Sequence, residues 1–231
     1  MRVRFVRADV VLLPGLHGSR ALFSSFVALA PAWARCRPLA LPSIGGQTFD
    51  ALAESLLPEL KPLEGFVLLG ESFSGPIAAR LAFRLGQKVA LLVLCNPLVE
   101  MPFGFSAGLA AAGVTSRWMP AWCAAALLAA GDRALGREAL REVRLLPRET
   151  LEGRLAAAFS ATVDELAPLL GAPLLAVLGS KDRLVSRART RALLRGVPFS
   201  TAVDLSGPHL IVQAKPAEVW DAISDEFESA A

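Results

Sequence analysis

Short apolar runs alternate along this chain with longer stretches in which apolar residues recur at helical spacing. The runs at 9–13 (DVVLL), 36–41 (CRPLAL), 65–69 (GFVLL), 89–95 (VALLVLC), 173–178 (PLLAVL) and 199–205 (FSTAVDL) predict strands. The middle runs are apolar at nearly every position, as strands covered on both faces must be. Helical patterns lie between them, over 20–32, 48–60, 73–85, 187–194 and 216–228. Strand–helix–strand alternation predicts an α/β fold, a mostly parallel sheet with helices on both faces. Residues 98–170 break the rhythm. No strand pattern occurs there; Pro102, Gly104, Gly108, Gly113 and Pro120 punctuate the start, and helical segments follow. That is too long for a loop in a compact domain. The expectation is a helical cap over 98–170, inserted between two strands of a single domain spanning 1–231.

The composition fits that picture. Of 231 residues, 54% are hydrophobic and 19% charged, enough for a sizeable core and inconsistent with disorder. No run reaches the roughly 18 apolar residues of a membrane-spanning helix. The apolar run at 10–13 follows Arg2, Arg4 and Arg7, but it is too short for a secretion signal and Pro14-Gly15 ends it, so a cytoplasmic location is expected. The three cysteines, Cys36, Cys95 and Cys123, are odd in number and far apart, which suggests neither a disulfide framework nor a zinc knuckle. Cys95 reads as a small buried apolar residue. With only His17 and His209, no histidine-rich metal site is possible. A net charge of +3, spread along the chain, argues against nucleic acid as a partner.

The densest chemical signal is Leu68-Leu69-Gly70-Glu71-Ser72-Phe73-Ser74-Gly75-Pro76, where an apolar strand runs into G-x-S-x-S-G and a helix begins. This is the setting of a nucleophile elbow, a strained strand-to-helix turn that lifts a serine hydroxyl above the sheet edge. The turn brings together the positions two before and two after the serine, so both must be small; Gly70 and Ser74 are. A glycine- and serine-rich joint is also common in α/β proteins without any catalytic role. A serine nucleophile needs a base, and the base an orienting acid. Asp182 follows the strand at 173–178, and His209 follows the strand at 199–205 as the only histidine downstream of Ser72. Ordinary readings exist for each: a turn or helix-cap aspartate, and a solvent-facing loop histidine. Together they form the order serine, aspartate, histidine, each at a strand end, where α/β sites collect. A third segment, Pro14-Gly15-Leu16-His17-Gly18-Ser19, links the first strong strand to the first helix. There the Leu16 amide is the candidate partner of the Phe73 amide in an oxyanion hole, and His17 is a candidate for lining the pocket.

With these motifs the chain resembles the α/β-hydrolase superfamily, in particular small bacterial serine esterase-like hydrolases carrying LLGESFSGP. The resemblance extends from Val10 to Phe227. It implies the α/β-hydrolase fold, with Ser72 as nucleophile, His209 as base, Asp182 as acid, the Leu16 and Phe73 amides as oxyanion donors, and no metal or organic cofactor. The RVRFV segment at 2–6 would supply one of the early strands of that fold. The pimeloyl-acyl-carrier-protein methyl ester esterases are similar in layout but carry glycine where this chain has Ser74. Haloalkane dehalogenases and epoxide hydrolases carry aspartate at the elbow and are excluded.

The implied activity is hydrolysis of a small carboxylic ester through an acyl-enzyme. Acyl transfer, thioester cleavage on a carrier, and a non-catalytic ligand-binding homologue are the alternatives. Phe103, Phe105, Trp118, Met119, Trp122, Leu127 and Leu128 cluster in the cap; Phe103, Trp118 and Trp122 are candidates for an apolar acyl pocket, though packing of cap on core accounts for them as well. Arg133, Arg137, Arg141, Arg144 and Arg148 would share one face of a single helix. Acidic residues interleave them, so a solvated, ion-paired face is expected ahead of a dock for an acidic carrier protein.

Overall fold

The computed structural model describes residues 7–101, 120–171 and 173–230. Among the described residues, six strands form one parallel sheet: β1 (Ala8–Leu13), β2 (Ala34–Pro38), β3 (Phe66–Glu71), β4 (Val89–Cys95), β5 (Leu174–Gly179) and β6 (Ser200–Leu205). Their order is β2-β1-β3-β4-β5-β6. The alternation of side chains along a strand splits the apolar runs between two cores. Val11, Leu13, Leu68, Leu92 and Leu94 face the helices Phe49–Leu60 and Gly75–Leu85. Val10, Leu12, Val67, Leu69 and Val93 face Phe23, Phe26, Val219, Trp220 and Ile223 on the other side. Trp220 stacks on Phe26 with ring centroids 4.3 Å apart and donates its indole N–H to the Phe26 carbonyl.

Some elements differ from the sequence expectation. The pattern over 20–32 forms a 3₁₀ turn, Arg20–Phe23, and a short helix, Ser24–Ala28. Pro31 disfavours helical backbone at the residue before it. The strand expected at 36–41 is Ala34–Pro38, an edge strand paired from Ala8↔Ala34 to Leu12↔Pro38. Its apolar tail turns away, and the Leu41 amide donates to the Gly18 carbonyl.

Between β4 and β5 the described residues form the helices Ala121–Leu128, Arg133–Arg144, Arg148–Ser160 and Val163–Leu166. The five arginines therefore do not share one helix. The first helix of the set ends at Arg144, and Pro147 precedes the next, which begins at Arg148. Arg141 pairs with Glu142 and Arg148 with Glu152. Residues 2–6, Phe103, Phe105, Trp118 and Met119 lie outside the described residues. Among the described residues, no helix is long and apolar enough to cross a membrane.

The parallel arrangement sets the C-terminal ends of β3, β4, β5 and β6 along one edge. Asn96, the residue after β4, ties that edge together. It is fully buried, with φ of 42°, a left-handed conformation that asparagine tolerates. Its Nδ2 donates to the carbonyls of Pro208 (3.0 Å) and His209 (2.8 Å), and its Oδ1 accepts from the Gly179 amide at 2.7 Å. Replacing Asn96 by alanine leaves the buried Pro208 carbonyl and Gly179 amide unpaired, each worth about 1–3 kcal/mol, while the His209 carbonyl keeps its bond from the Ile211 amide. We expect Asn96→Ala to lose at least about 2 kcal/mol in urea unfolding; a shift below about 1 kcal/mol would show that water or rearrangement replaces the amide.

Candidate active site

β3 delivers the chain to a turn whose geometry is forced by contact. Ser72 sits at φ of 50°, a backbone strain of roughly 1–3 kcal/mol for a residue with a side chain. A Cβ on Gly70 would lie 2.6 Å from the Ser74 carbonyl oxygen and 2.7 Å from the Ala78 Cβ, so only glycine lets the helix Gly75–Leu85 pack this close to the strand. Ser74, by contrast, has φ of −80° in the right-handed helical region, so no glycine is needed there. Its hydroxyl donates to the Pro14 carbonyl at 2.5 Å and latches the turn to the loop after β1.

Three candidate side chains meet above this turn. His209 Nε2 lies 2.7 Å from Ser72 Oγ, and His209 Nδ1 lies 2.8 Å from Asp182 Oδ2. The other Asp182 oxygen accepts from the amides of Leu184 (2.7 Å) and Val185 (3.1 Å), which orients the carboxyl. The Asp182 and His209 side chains are 0% and 3% exposed, so water scarcely competes for these bonds. A carboxylate accepts only, so the imidazole proton belongs on Nδ1 and the Nε2 lone pair faces the serine hydroxyl. The loops that carry the two groups are joined by a bond from the Lys181 amide to the Gly207 carbonyl.

A cavity of about 150 Å³ opens beside Ser72. Leu98, Met101, Leu127, Leu128, Leu140, Val143, Leu155 and Phe159 give it apolar walls, and Gly15, Leu16, His17, Phe73 and His209 line the end at Ser72. Among the described residues the Leu16 amide has no hydrogen-bond partner. Trp122 is not a wall residue: it is 68% exposed, while Ala124, Leu127 and Leu128 of the same helix take the positions facing the cavity. Phe103 and Trp118 lie outside the described residues. His17 is buried, and its Nδ1 accepts from the Ser19 amide at 3.1 Å. Burial pushes its pKa down to about 4; the Glu142 charge opposes that shift and the Arg154 charge adds to it.

Two further polar residues support the site, and neither stands out in the sequence as functional. Arg154 is fully buried on the helix Arg148–Ser160. Its guanidinium donates to Gln47 Oε1 and to the carbonyls of Leu16, Leu41 and Pro42. Burial lowers its pKa to about 10, so it stays charged at neutral pH. Gly18, at φ of 68°, leaves the space that the guanidinium fills. The available signal was spacing: Arg154 falls three residues after Leu151 and four before Ala158, on the apolar face of its helix. Glu71, immediately before Ser72, is the one charged residue in an otherwise apolar strand. Its Oε2 accepts from Gln213 Nε2 at 3.1 Å. Burial pushes its pKa up to about 7, against the Gln213 bond, the nearby His209 and the Gly15 amide, which favour the ionised form.

The fold thus keeps the Glu71 proton up to about pH 7, whereas a solvated carboxyl releases it near 4.5. The stability from that bound proton is complete below pH 4.5 and is lost as pH rises through about 7. Glu71→Gln is therefore expected to gain on the wild type by about 3 kcal/mol between pH 4.5 and pH 8, measured by urea unfolding at both ends. A difference that does not vary with pH would mean that Glu71 is already ionised in the acid range.

The model of the family described as serine aminopeptidase, S33 matches residues 48–205, more than half of the chain. A search of the curated proteins found no match. Among solved structures, an enol-lactonase from Burkholderia xenovorans LB400 is 18% identical, with 96% of this chain and 91% of that chain covered and a TM-score of 0.79. An esterase from Exiguobacterium antarcticum is 14% identical over 96% and 92%, with a TM-score of 0.80. A thermophilic esterase from Thermogutta terrifontis is 21% identical over 97% and 91%, with a TM-score of 0.74. At these identities the likeness is one of fold, and it agrees with the parallel sheet described above. Family match and fold together establish that the chain belongs to the α/β-hydrolase family described as serine aminopeptidase, S33.

Proposed function

We propose that the chain is a serine hydrolase of short, apolar carboxylic esters. The observation that carries this reading is the unbroken relay from Asp182 through His209 to Ser72, with contacts of 2.8 and 2.7 Å, at the mouth of an apolar cavity. In this reading Ser72 Oγ attacks the acyl carbonyl while its proton passes to His209 Nε2. Asp182 holds the Nδ1–H tautomer and stabilises the imidazolium that forms. The tetrahedral oxyanion takes hydrogen bonds from the Leu16 and Phe73 amides. The imidazolium then protonates the departing alcohol. Water, deprotonated by His209, attacks the acyl-enzyme and frees the acid and Ser72.

The cavity volume bears on substrate size. An apolar cavity of about 150 Å³ accepts a benzene-sized ligand, which corresponds to an acyl chain of roughly six carbons or fewer. Esterases and an enol-lactonase among the structural neighbours are compatible with this substrate class.

p-Nitrophenyl esters from acetate to palmitate, assayed with wild type and Ser72→Ala side by side, test the reading. Turnover is expected to be fastest between acetate and hexanoate and to fall steeply beyond. Ser72→Ala should lower kcat by about 10⁴-fold or more while the protein remains folded by circular dichroism. Comparable turnover by the alanine variant would overturn the assignment of the nucleophile.

A further inference from the structure

The relay uses one of the chain's two histidines. The other, His17, lines the same cavity, and nothing in the reaction sequence above employs it. Its tautomer is fixed by its surroundings. Because the Ser19 amide donates to Nδ1, that nitrogen is the acceptor and the ring proton is on Nε2. Nε2 is buried, and among the described residues it has no hydrogen-bond partner. An unmet donor in the interior is a standing penalty, and a functional role or a bound partner is what accounts for such a group.

The position of this donor is informative. A Cβ placed on Gly15 would lie 3.7 Å from His17 Nε2 and 3.7 Å from Ser72 Cβ, so the nitrogen and the nucleophile flank the same glycine of the oxyanion loop. Elsewhere the described walls of the cavity are hydrocarbon: Leu98, Leu140, Val143, Leu155 and Phe159. His17 is unsuited to act as a second base. No carboxylate holds its Nδ1, and its neutral form persists to about pH 4. Glu142, the acidic group whose charge acts on it, is bonded to Arg141 and Ser19, and the Arg154 charge repels added positive charge. The ring is a neutral donor of constant charge set in an apolar pocket.

We propose that His17 Nε2–H is a specificity-determining donor that hydrogen-bonds an oxygen carried on the acyl group close to the ester carbonyl. The preferred substrates are then short esters of oxygenated acids, such as alkoxy or keto acyl groups, over plain alkanoyl esters of the same size. An apolar cavity with one correctly placed donor discriminates in this way because an alkanoyl ester leaves the donor unpaired. The inference rests on the reading of Ser72 as nucleophile in the same cavity.

p-Nitrophenyl methoxyacetate and p-nitrophenyl butyrate differ by an oxygen in place of a methylene, and their ratio of kcat/KM is the readout. Taking the ratio for each variant against wild type cancels the intrinsic reactivity of the esters. His17→Phe should lower the methoxyacetate-to-butyrate ratio about tenfold, whereas His17→Gln, which retains an N–H donor, should restore most of it. An unchanged ratio in His17→Phe, including an equal fall for both esters, overturns the proposal. A readout free of variants is inhibition of the wild type by methoxyacetone and by 2-pentanone. The methoxy ketone should inhibit about tenfold more strongly, against the order set by hydrophobicity; equal inhibition also overturns the proposal. Ser72→Ala is run alongside. If that variant still hydrolyses both esters, the nucleophile assignment fails. If it is inert and the ratio is insensitive to His17, only the present inference fails.

Discussion

The carboxamide of Asn96 is the fixed point on which the candidate site hangs. A parallel sheet delivers strand ends to one edge, but the loops that leave them diverge and are free to drift by ångströms. Catalytic contacts tolerate far less displacement than that. Asn96 removes the freedom by bonding the last residue of its neighbour strand and two successive carbonyls of the loop that carries His209. Asp182 and His209 thereby acquire a common reference at the end of β4, next to the strand that presents Ser72. The left-handed backbone of Asn96 is the local cost of placing one amide among three partners.

A second set of constraints joins the elbow to the loop after β1. Ser74 grips Pro14 from one side, and Glu71 lies against the same loop near Gly15. Two buried titratable groups thus lie close to Ser72 and Gly15 with opposite preferences. Glu71 retains its proton to about pH 7, and His17 refuses one down to about pH 4. In linkage terms the first loses stability as pH rises, and the second contributes stability above about 6.5 that is lost as pH falls toward 4. Their slopes oppose each other over the mildly acidic range. Over that range each offsets part of the other's effect on folding.

Much of this was legible in the chain because it depended on local pattern. The continuous apolar run over 89–95 and the helical repeat over 187–194 coincide with the observed β4 and helix Arg187–Leu194. Ser72, Asp182 and His209 stood out because each follows a strand. What stayed hidden depends on partners distant in sequence. Arg154 reads as one more arginine until the loops at 16, 41 and 42 fold against it. Asn96 reads as the end of an apolar run until residues 179 and 208 arrive. Trp122 shows the converse error. Its size suggested a pocket wall, but on its helix the small Ala124 faces inward and the tryptophan is left in solvent.

The buried guanidinium of Arg154 also has a bearing on how this pocket can be reshaped. Stripped of water, that charge depends on acceptors supplied by three other segments, so the helix Arg148–Ser160 cannot swing outward without abandoning them all. Leu155 and Phe159, which project from the same helix into the cavity, are thus mounted on a rigid wall registered to the loop of Leu16. Trimming or enlarging those two side chains alters the bore of the chamber while leaving the serine where it stands. The scaffold separates the gauge of the chamber from the aim of Ser72.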